Sequence, residues 1–165
     1  MSAGASAGLS AVVSAAVVLE PMRWWHLPGV DAVERLLFPD EPWGPVLFWS
    51  ELGQVDTRHY LVALSQDGLD SDLVGYAGLC DHPDEAFVQT MAVAPVAQGQ
   101  GLGARLLEAL LAEAARRGHR TTSLEVRADN APAQRLYDRY GFAKDGVRRG
   151  YYRGGVDAWQ MTRRT

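Results

Sequence analysis

Gln98-Gly99-Gln100-Gly101-Leu102-Gly103-Ala104 sets three glycines at alternate positions directly before a strongly helical run. Glycines at that spacing let successive backbone N–H groups turn into one concavity, and the helix start behind them adds unpaired donors and a positive dipole end. The chemistry is anion binding, with a phosphate as the expected anion. Further along, Glu125 offers a carboxylate that can take a proton, Tyr137 a phenol that can give one, and Asn130 an amide at a helix start. On pattern alone, Glu125 also fits a solvated strand face, Tyr137 a core position beside Leu136 and Tyr140, and Asn130 a plain helix cap.

The elements that must position these residues are readable from periodicity. Val17 to Met22 reads as a short strand, and Pro28-Gly29 opens a helix through Val33, Leu36 and Leu37. Pro39, Pro42 and Pro45 interrupt the chain after that helix, and a second short helix carries Phe48, Trp49 and Leu52 up to Gly53. Tyr60–Leu64, Leu73–Leu79 and Phe87–Val93 read as strands of an antiparallel meander, joined by Gln66-Asp67-Gly68 and by Asp81-His82-Pro83-Asp84. Between Gln100 and Arg117, residues Leu102, Leu106, Leu107, Leu110, Leu111 and Ala114 keep helical spacing up to the stop at Gly118. Thr121–Arg127 reads as a strand, Ala131–Tyr140 as a helix, and Lys144–Tyr152 and Val156–Met161 as two strands across Arg153-Gly154-Gly155. The fold class is α+β, with a mixed, mostly antiparallel sheet flanked by helices.

Composition narrows the possibilities. At 47% hydrophobic and 22% charged, the chain is expected to fold as one domain over residues 16–165, after a disordered Ala/Ser/Gly-rich extension at 1–15. That extension fails as a targeting signal, because no Lys or Arg precedes Arg23 and Ser10 and Ser14 interrupt its apolar residues. No run is long enough to span a membrane, so a cytoplasmic protein without a membrane partner is expected. A formal charge of −4 argues against a direct nucleic-acid role, the Arg-rich tail included. Cys80 stands alone, and His26, His59, His82 and His119 show no ligand spacing, so no metal is expected.

Two nucleotide readings compete for the glycine loop. Gly99-Gln100-Gly101-Leu102-Gly103-Ala104 satisfies the loose dinucleotide pattern G-x-G-x-x-A, and Glu125 lies about 20 residues on, where a ribose-binding acid is wanted. Against it, only 62 residues follow Gly103, the preceding strands look antiparallel, and Glu125 sits inside its strand rather than at the carboxyl end. A Walker loop is excluded, since no Gly-Lys-Ser/Thr occurs.

The pattern Gln-x-x-Gly-x-Gly, here Gln98 to Gly103, resembles the acetyl-CoA pyrophosphate loop of the GNAT N-acetyltransferases. The resemblance extends from Val17 onward and includes Asn130 to Phe142, similar to that family's N-x-x-A-x-x-L-Y-x-x-x-G-F segment. Leu124-Glu125-Val126-Arg127-Ala128-Asp129-Asn130, Arg148-Arg149-Gly150-Tyr151-Tyr152 and Asp157-Ala158 resemble its ribosomal-protein-alanine N-acetyltransferase branch. Gly99 stands where relatives often carry a basic residue, so one phosphate contact is either missing or supplied by Arg105.

The resemblance implies acetyl-CoA as cosubstrate, held by Met91, Ala92, Val93, the loop Gln98–Ala104 and Asn130. It implies as acceptor the N-terminal alanine of a ribosomal protein, with Glu125 as base and Tyr137 as acid. An α-amine with a pKa of about 7.7–8.0 is roughly one-tenth neutral at pH 7, so a single carboxylate, acting directly or through a water, suffices as base. Backbone N–H groups near Met91–Val93, where the family's strand bulges and splays, are expected to polarise the thioester carbonyl. Asp40, Glu41, Asp81, Asp84 and Glu85 are expected to surround the acceptor groove and attract a cationic peptide. Trp24, Trp25 and Trp43 fit either that groove or ordinary aromatic packing. Acetylation of a small-molecule amine or another N-terminus, and a catalytically silent carrier sensor, stay open at this level.

Overall fold

The computed structural model describes residues 16–66 and 72–165; the expected extension at 1–15 and most of the turn at 66–68 lie outside the described residues. Seven strands form one sheet in the order β1-β2-β3-β4-β5-β7-β6. They are β1 (Val17–Pro21), β2 (Arg58–Ser65), β3 (Asp72–Asp81), β4 (Ala86–Val93), β5 (Thr121–Arg127), β6 (Ala143–Tyr152) and β7 (Val156–Arg164). Four helices accompany them: α1 (Leu27–Leu37), α2 (Gly44–Leu52), α3 (Leu102–Arg116) and α4 (Ala131–Arg139). Every neighbouring pair is antiparallel except β4 and β5, which are parallel, as expected where a helix such as α3 makes the crossover.

Each face of the sheet has its own core. The α3 face buries Leu106, Leu107 and Leu110 against Leu61, Ala63, Ala77, Leu79, Leu124 and Met161. On the opposite face, Val30 and Val33 of α1 and Phe48 of α2 pack on Tyr60, Val62, Leu64 and Tyr76. Strand β2 therefore alternates between two buried environments, which is why it reads as an uninterrupted apolar run. Among the described residues no helix is long and apolar enough to cross a membrane.

A charge cluster ties the end of α3 to the hairpin β3–β4. Glu113 accepts hydrogen bonds from Arg116 (2.7 and 2.6 Å) and Arg117 (2.7 Å), and Arg117 also reaches Asp81 at 2.9 Å. The Arg116 bond leads in holding the Glu113 carboxyl down at about 2, against burial. A carboxyl held low stabilises the fold fully above its ordinary value of 4.5, and that contribution disappears as pH falls toward about 2. Replacing Glu113 by Gln should lower denaturant stability at pH 7 by about 1–2 kcal/mol, since its partners are partly solvated. The gap from the parent should close below pH 4.5; a gap independent of pH would remove the charge from the explanation.

Candidate active site

The sheet is open in its middle. The β4–β5 ladder has three residue pairs, Ala86 with Thr122, Phe87 with Ser123 and Val88 with Leu124, and then the strands diverge. The β3–β4 register slips at the same level, where Leu79 faces Val88 and Gly78 faces Thr90, leaving Gln89 as the extra residue. The irregularity thus lies at Gln89 rather than at Met91–Val93, while the splay includes Met91–Val93 as expected. Ala94 N–H bonds Val74 O on the β3 side, and the Gln98 side chain donates to Val93 O at 2.9 Å. Strand alternation from Ala94 then turns the backbone groups of Met91 and Val93 toward the open edge.

A cavity of about 660 Å³ occupies the opening. Its walls come from β4 (Gln89, Thr90, Met91), β5 (Leu124 to Arg127), α4 (Ala133, Tyr137), the α1–α2 connection (Phe38 to Glu41, Trp43) and the β6–β7 turn (Tyr152, Arg153). The structure therefore brings Met91, Glu125, Asn130 and Tyr137 to one cavity. Glu125 is on the exposed parity of β5 between buried Leu124 and Val126, yet the walls leave its side chain only 14% accessible. The solvated-face alternative does not describe it. Its Oε1 forms an ion pair with Arg148 Nε at 2.8 Å, and the Arg148 guanidinium lies 5.2 Å from the Tyr151 ring centre.

Tyr137 is buried on α4, with its ring edge-on to Phe142. Burial first, and Tyr152 second, push its phenol up to about 12. The Tyr152 phenol is also raised to about 12, by burial and then by the Glu125 charge. The Asn130 side chain caps α4, accepting from Ala133 N–H at 3.2 Å, and borders the cavity as well.

The glycine loop leaves the end of β4 through a 3-10 turn at Pro95–Ala97. Gly99 and Gly101 take φ of 75° and 81°, in the left-handed region that side chains avoid, and a Cβ at either would meet nothing within 4 Å. Helix α3 starts without a side-chain cap. Its first backbone bond runs from Arg105 N–H to Gly101 O, so Leu102, Gly103 and Ala104 N–H have no acceptor inside the helix. An uncapped helix start beneath an open backbone cradle fits a diphosphate. The side chains of Gln98 and Gln100 are folded onto Val93 O and Val96 O, so they shape the loop. Arg105 does not supply the phosphate contact in this structure: it donates to Val17 O at 2.9 Å, on β1.

The acidic set divides. Asp40 and Glu41 line the cavity, and Glu41 approaches Arg153 at 3.6 Å across its mouth. Asp81, Asp84 and Glu85 do not line it, because the β3–β4 turn lies at the start of β4 and the opening at its other end; Asp81 instead pairs with Arg117 and His119. Trp43 borders the cavity, whereas Trp24 and Trp25 are exposed elsewhere. Among the described residues no group of three or more His, Cys, Asp or Glu could hold a metal. Glu34, Gln89, Thr90 and Tyr152 line the cavity unanticipated. Glu34 had a signal, a charge among the apolar residues Val30, Val33 and Leu37.

The profile of the acetyltransferase (GNAT) family matches residues 23–142. The N-alpha-acetyltransferase RimI of Mycobacterium tuberculosis is 43% identical over 155 residues, covering 87% of this chain and 93% of that protein. The [ribosomal protein bS18]-alanine N-acetyltransferase of Escherichia coli K12 is 40% identical over 111 residues, 67% of this chain and 71% of that one. The crystal structure of the ribosomal-protein-S18-alanine N-acetyltransferase from Escherichia coli superposes with a TM-score of 0.79 at 33% identity, over 90% of this chain and 93% of that one. The matched region spans the split sheet, the glycine loop and Tyr137, and the chain belongs to the acetyltransferase (GNAT) family as an N-acetyltransferase.

Proposed function

We propose that the protein transfers an acetyl group from acetyl-CoA to the α-amine of an N-terminal alanine, that of ribosomal protein bS18, by direct transfer within a ternary complex. The observation that carries this reading is the single cavity in the split of β4 and β5 onto which Glu125 and Tyr137 both face. The names of the relatives support the acceptor. The uncapped start of α3 and the left-handed glycines provide the seat for the carrier's diphosphate.

The acceptor amine arrives mostly as an ammonium at pH 7. It has the same charge as the Arg148 guanidinium and can take its place on Glu125. Glu125, directly or through a water, removes the proton; the nitrogen then bonds to the thioester carbon as the carbon–sulfur bond breaks, giving an amide and a thiolate. Backbone N–H groups on the open edge of β4 bond the carbonyl oxygen, which gains charge in the transition state. Tyr137 holds its proton at working pH, being raised to about 12. A thiol near 8.5 is the stronger acid of the two, so the phenol stabilises the leaving sulfur chiefly by donating a hydrogen bond, with the proton from the amine completing the thiol.

Thiol release from acetyl-CoA with an alanine-starting peptide tests the reading, alongside the same peptide N-blocked and a panel of small amines. Release with the free peptide alone is expected; turnover of the small amines in its place would overturn the acceptor assignment. Binding of acetyl-CoA without turnover of any amine would leave only a carrier sensor. The carrier seat has its own check. Gly101→Ala puts a side chain into left-handed backbone at a cost of about 1–2 kcal/mol. Relieving that strain by moving the loop should weaken acetyl-CoA binding about tenfold in calorimetry. Unchanged affinity would place the diphosphate elsewhere.

A further inference from the structure

Glu34 stands on the apolar stripe of α1 with 1% of its surface accessible, and it borders the cavity. A buried carboxylate is costly unless it is fully hydrogen-bonded, and the C-terminal half of a helix is the wrong end for a negative charge. A leucine would fill the stripe without either penalty. What the carboxylate does instead is visible in its partners. Oε2 accepts the backbone N–H of Trp43 at 3.0 Å, and Oε1 accepts the Tyr76 phenol. The backbone carbonyl of the same residue accepts Phe38 N–H at 2.7 Å. Both ends of segment 38–43 are therefore tied to Glu34.

That segment is the acceptor-side lip of the cavity. Pro39 and Pro42 have no N–H with which to anchor it, and its internal bond, Glu41 N–H to Phe38 O, is 3.2 Å long. Trp43 packs at a tilt of 41° against Phe48, whose ring meets Tyr76 edge-on. The Tyr76 phenol also interacts with the side chain of Thr90, on the β4 wall. A continuous chain thus runs from β4 through Tyr76 and Glu34 to Trp43, and it fixes the height at which the lip stands above Glu125.

We infer that Glu34 is a positioning residue that clamps segment 38–43 over the cavity and thereby sets the affinity for the acceptor peptide. The inference rests on the proposed peptide acetylation for its kinetic consequence, but not for the clamp itself. Glu34→Leu keeps the bulk and removes both side-chain acceptors, while Glu34→Gln retains an oxygen for Trp43 N–H. In the full chain, Glu34→Leu should raise KM for an alanine-starting peptide about tenfold, leave the acetyl-CoA Kd within about twofold, and leave the pH profile of kcat in place. Glu34→Gln should recover most of the loss.

Hydrogen exchange on the same proteins reads the clamp directly: the Trp43 amide should exchange faster in Glu34→Leu, with the α3 amides unchanged. Tyr76→Phe, which removes one donor and leaves the core filled, should give a smaller rise in both KM and lip exchange, and it replaces Glu34→Leu if that variant does not fold. Unchanged peptide KM in a folded Glu34→Leu, or a displaced pH profile of kcat, would overturn the inference. If the parent protein does not acetylate the peptide, the functional reading fails, and exchange at Trp43 still decides whether Glu34 is the clamp.

Discussion

Glu125→Gln is expected to lower kcat at pH 7 by about 10²–10⁴-fold while leaving acetyl-CoA binding unchanged. The amide matches the carboxylate in shape and retains an oxygen for Arg148 Nε, now 2.8 Å away, so the wall of the cavity should persist. What is lost is the ability to take a proton. The defect must then depend on pH in a particular direction. Below about pH 7.7–8.0 most of the acceptor is an ammonium and needs the base; above it most is already neutral, and the deficit of the variant should shrink. Kinetics at pH 6.5, 7.5 and 9 read this out. Turnover within twofold of the parent at pH 7 would remove Glu125 from the chemistry, and a deficit equal at all three values would assign it to positioning.

The second large effect belongs to Tyr137→Phe, for which kcat should fall about 10²-fold, the range found when one donor to a developing charge is deleted. The hydroxyl lies in a buried site where Phe keeps the edge-on contact with Phe142, so thermal stability should be retained. With the phenol up at about 12, the parent should show no alkaline loss of kcat attributable to this group below about pH 11. Poor leaving groups sharpen the test: the deficit should be greater for an oxygen ester analogue of the carrier, whose leaving atom is more basic than sulfur. An equal deficit for both carriers would mean that the hydroxyl acts only in packing.

Much of this arrangement is legible in the sequence alone. The helix expected between Gln100 and Arg117 occurs as Leu102–Arg116, and the strand expected at Thr121–Arg127 has those bounds, because both signals are local: a leucine stripe of period 3.6 and an alternation of period 2. The uncapped glycine start of α3 is equally local. Partners are not. Arg148 is on β6 and Glu125 on β5, and they meet only because β7 is inserted between these strands with Gln160 opposite Glu125 and Ala158 opposite Arg148. No spacing along the chain encodes that order. Asp81, Asp84 and Glu85 depart from expectation for the same reason, since a hairpin turn and the far end of its strand are close in sequence and lie at opposite ends of the sheet. Arg105 follows the glycine loop closely enough in sequence to suggest a phosphate contact, yet the winding of α3 aims it at β1.

Unpaired strand edges invite association with other chains, and proteins ordinarily shield or interrupt them. Here the vacancy is internal, between β4 and β5, roofed by the α1–α2 connection and by the β6–β7 turn. An opening between two strands admits an extended backbone more readily than a folded element. A free chain terminus supplies one. An acceptor of the proposed kind must therefore present its last few residues extended, whatever the state of the rest of the molecule, so the width of a gap in the backbone selects for chain ends.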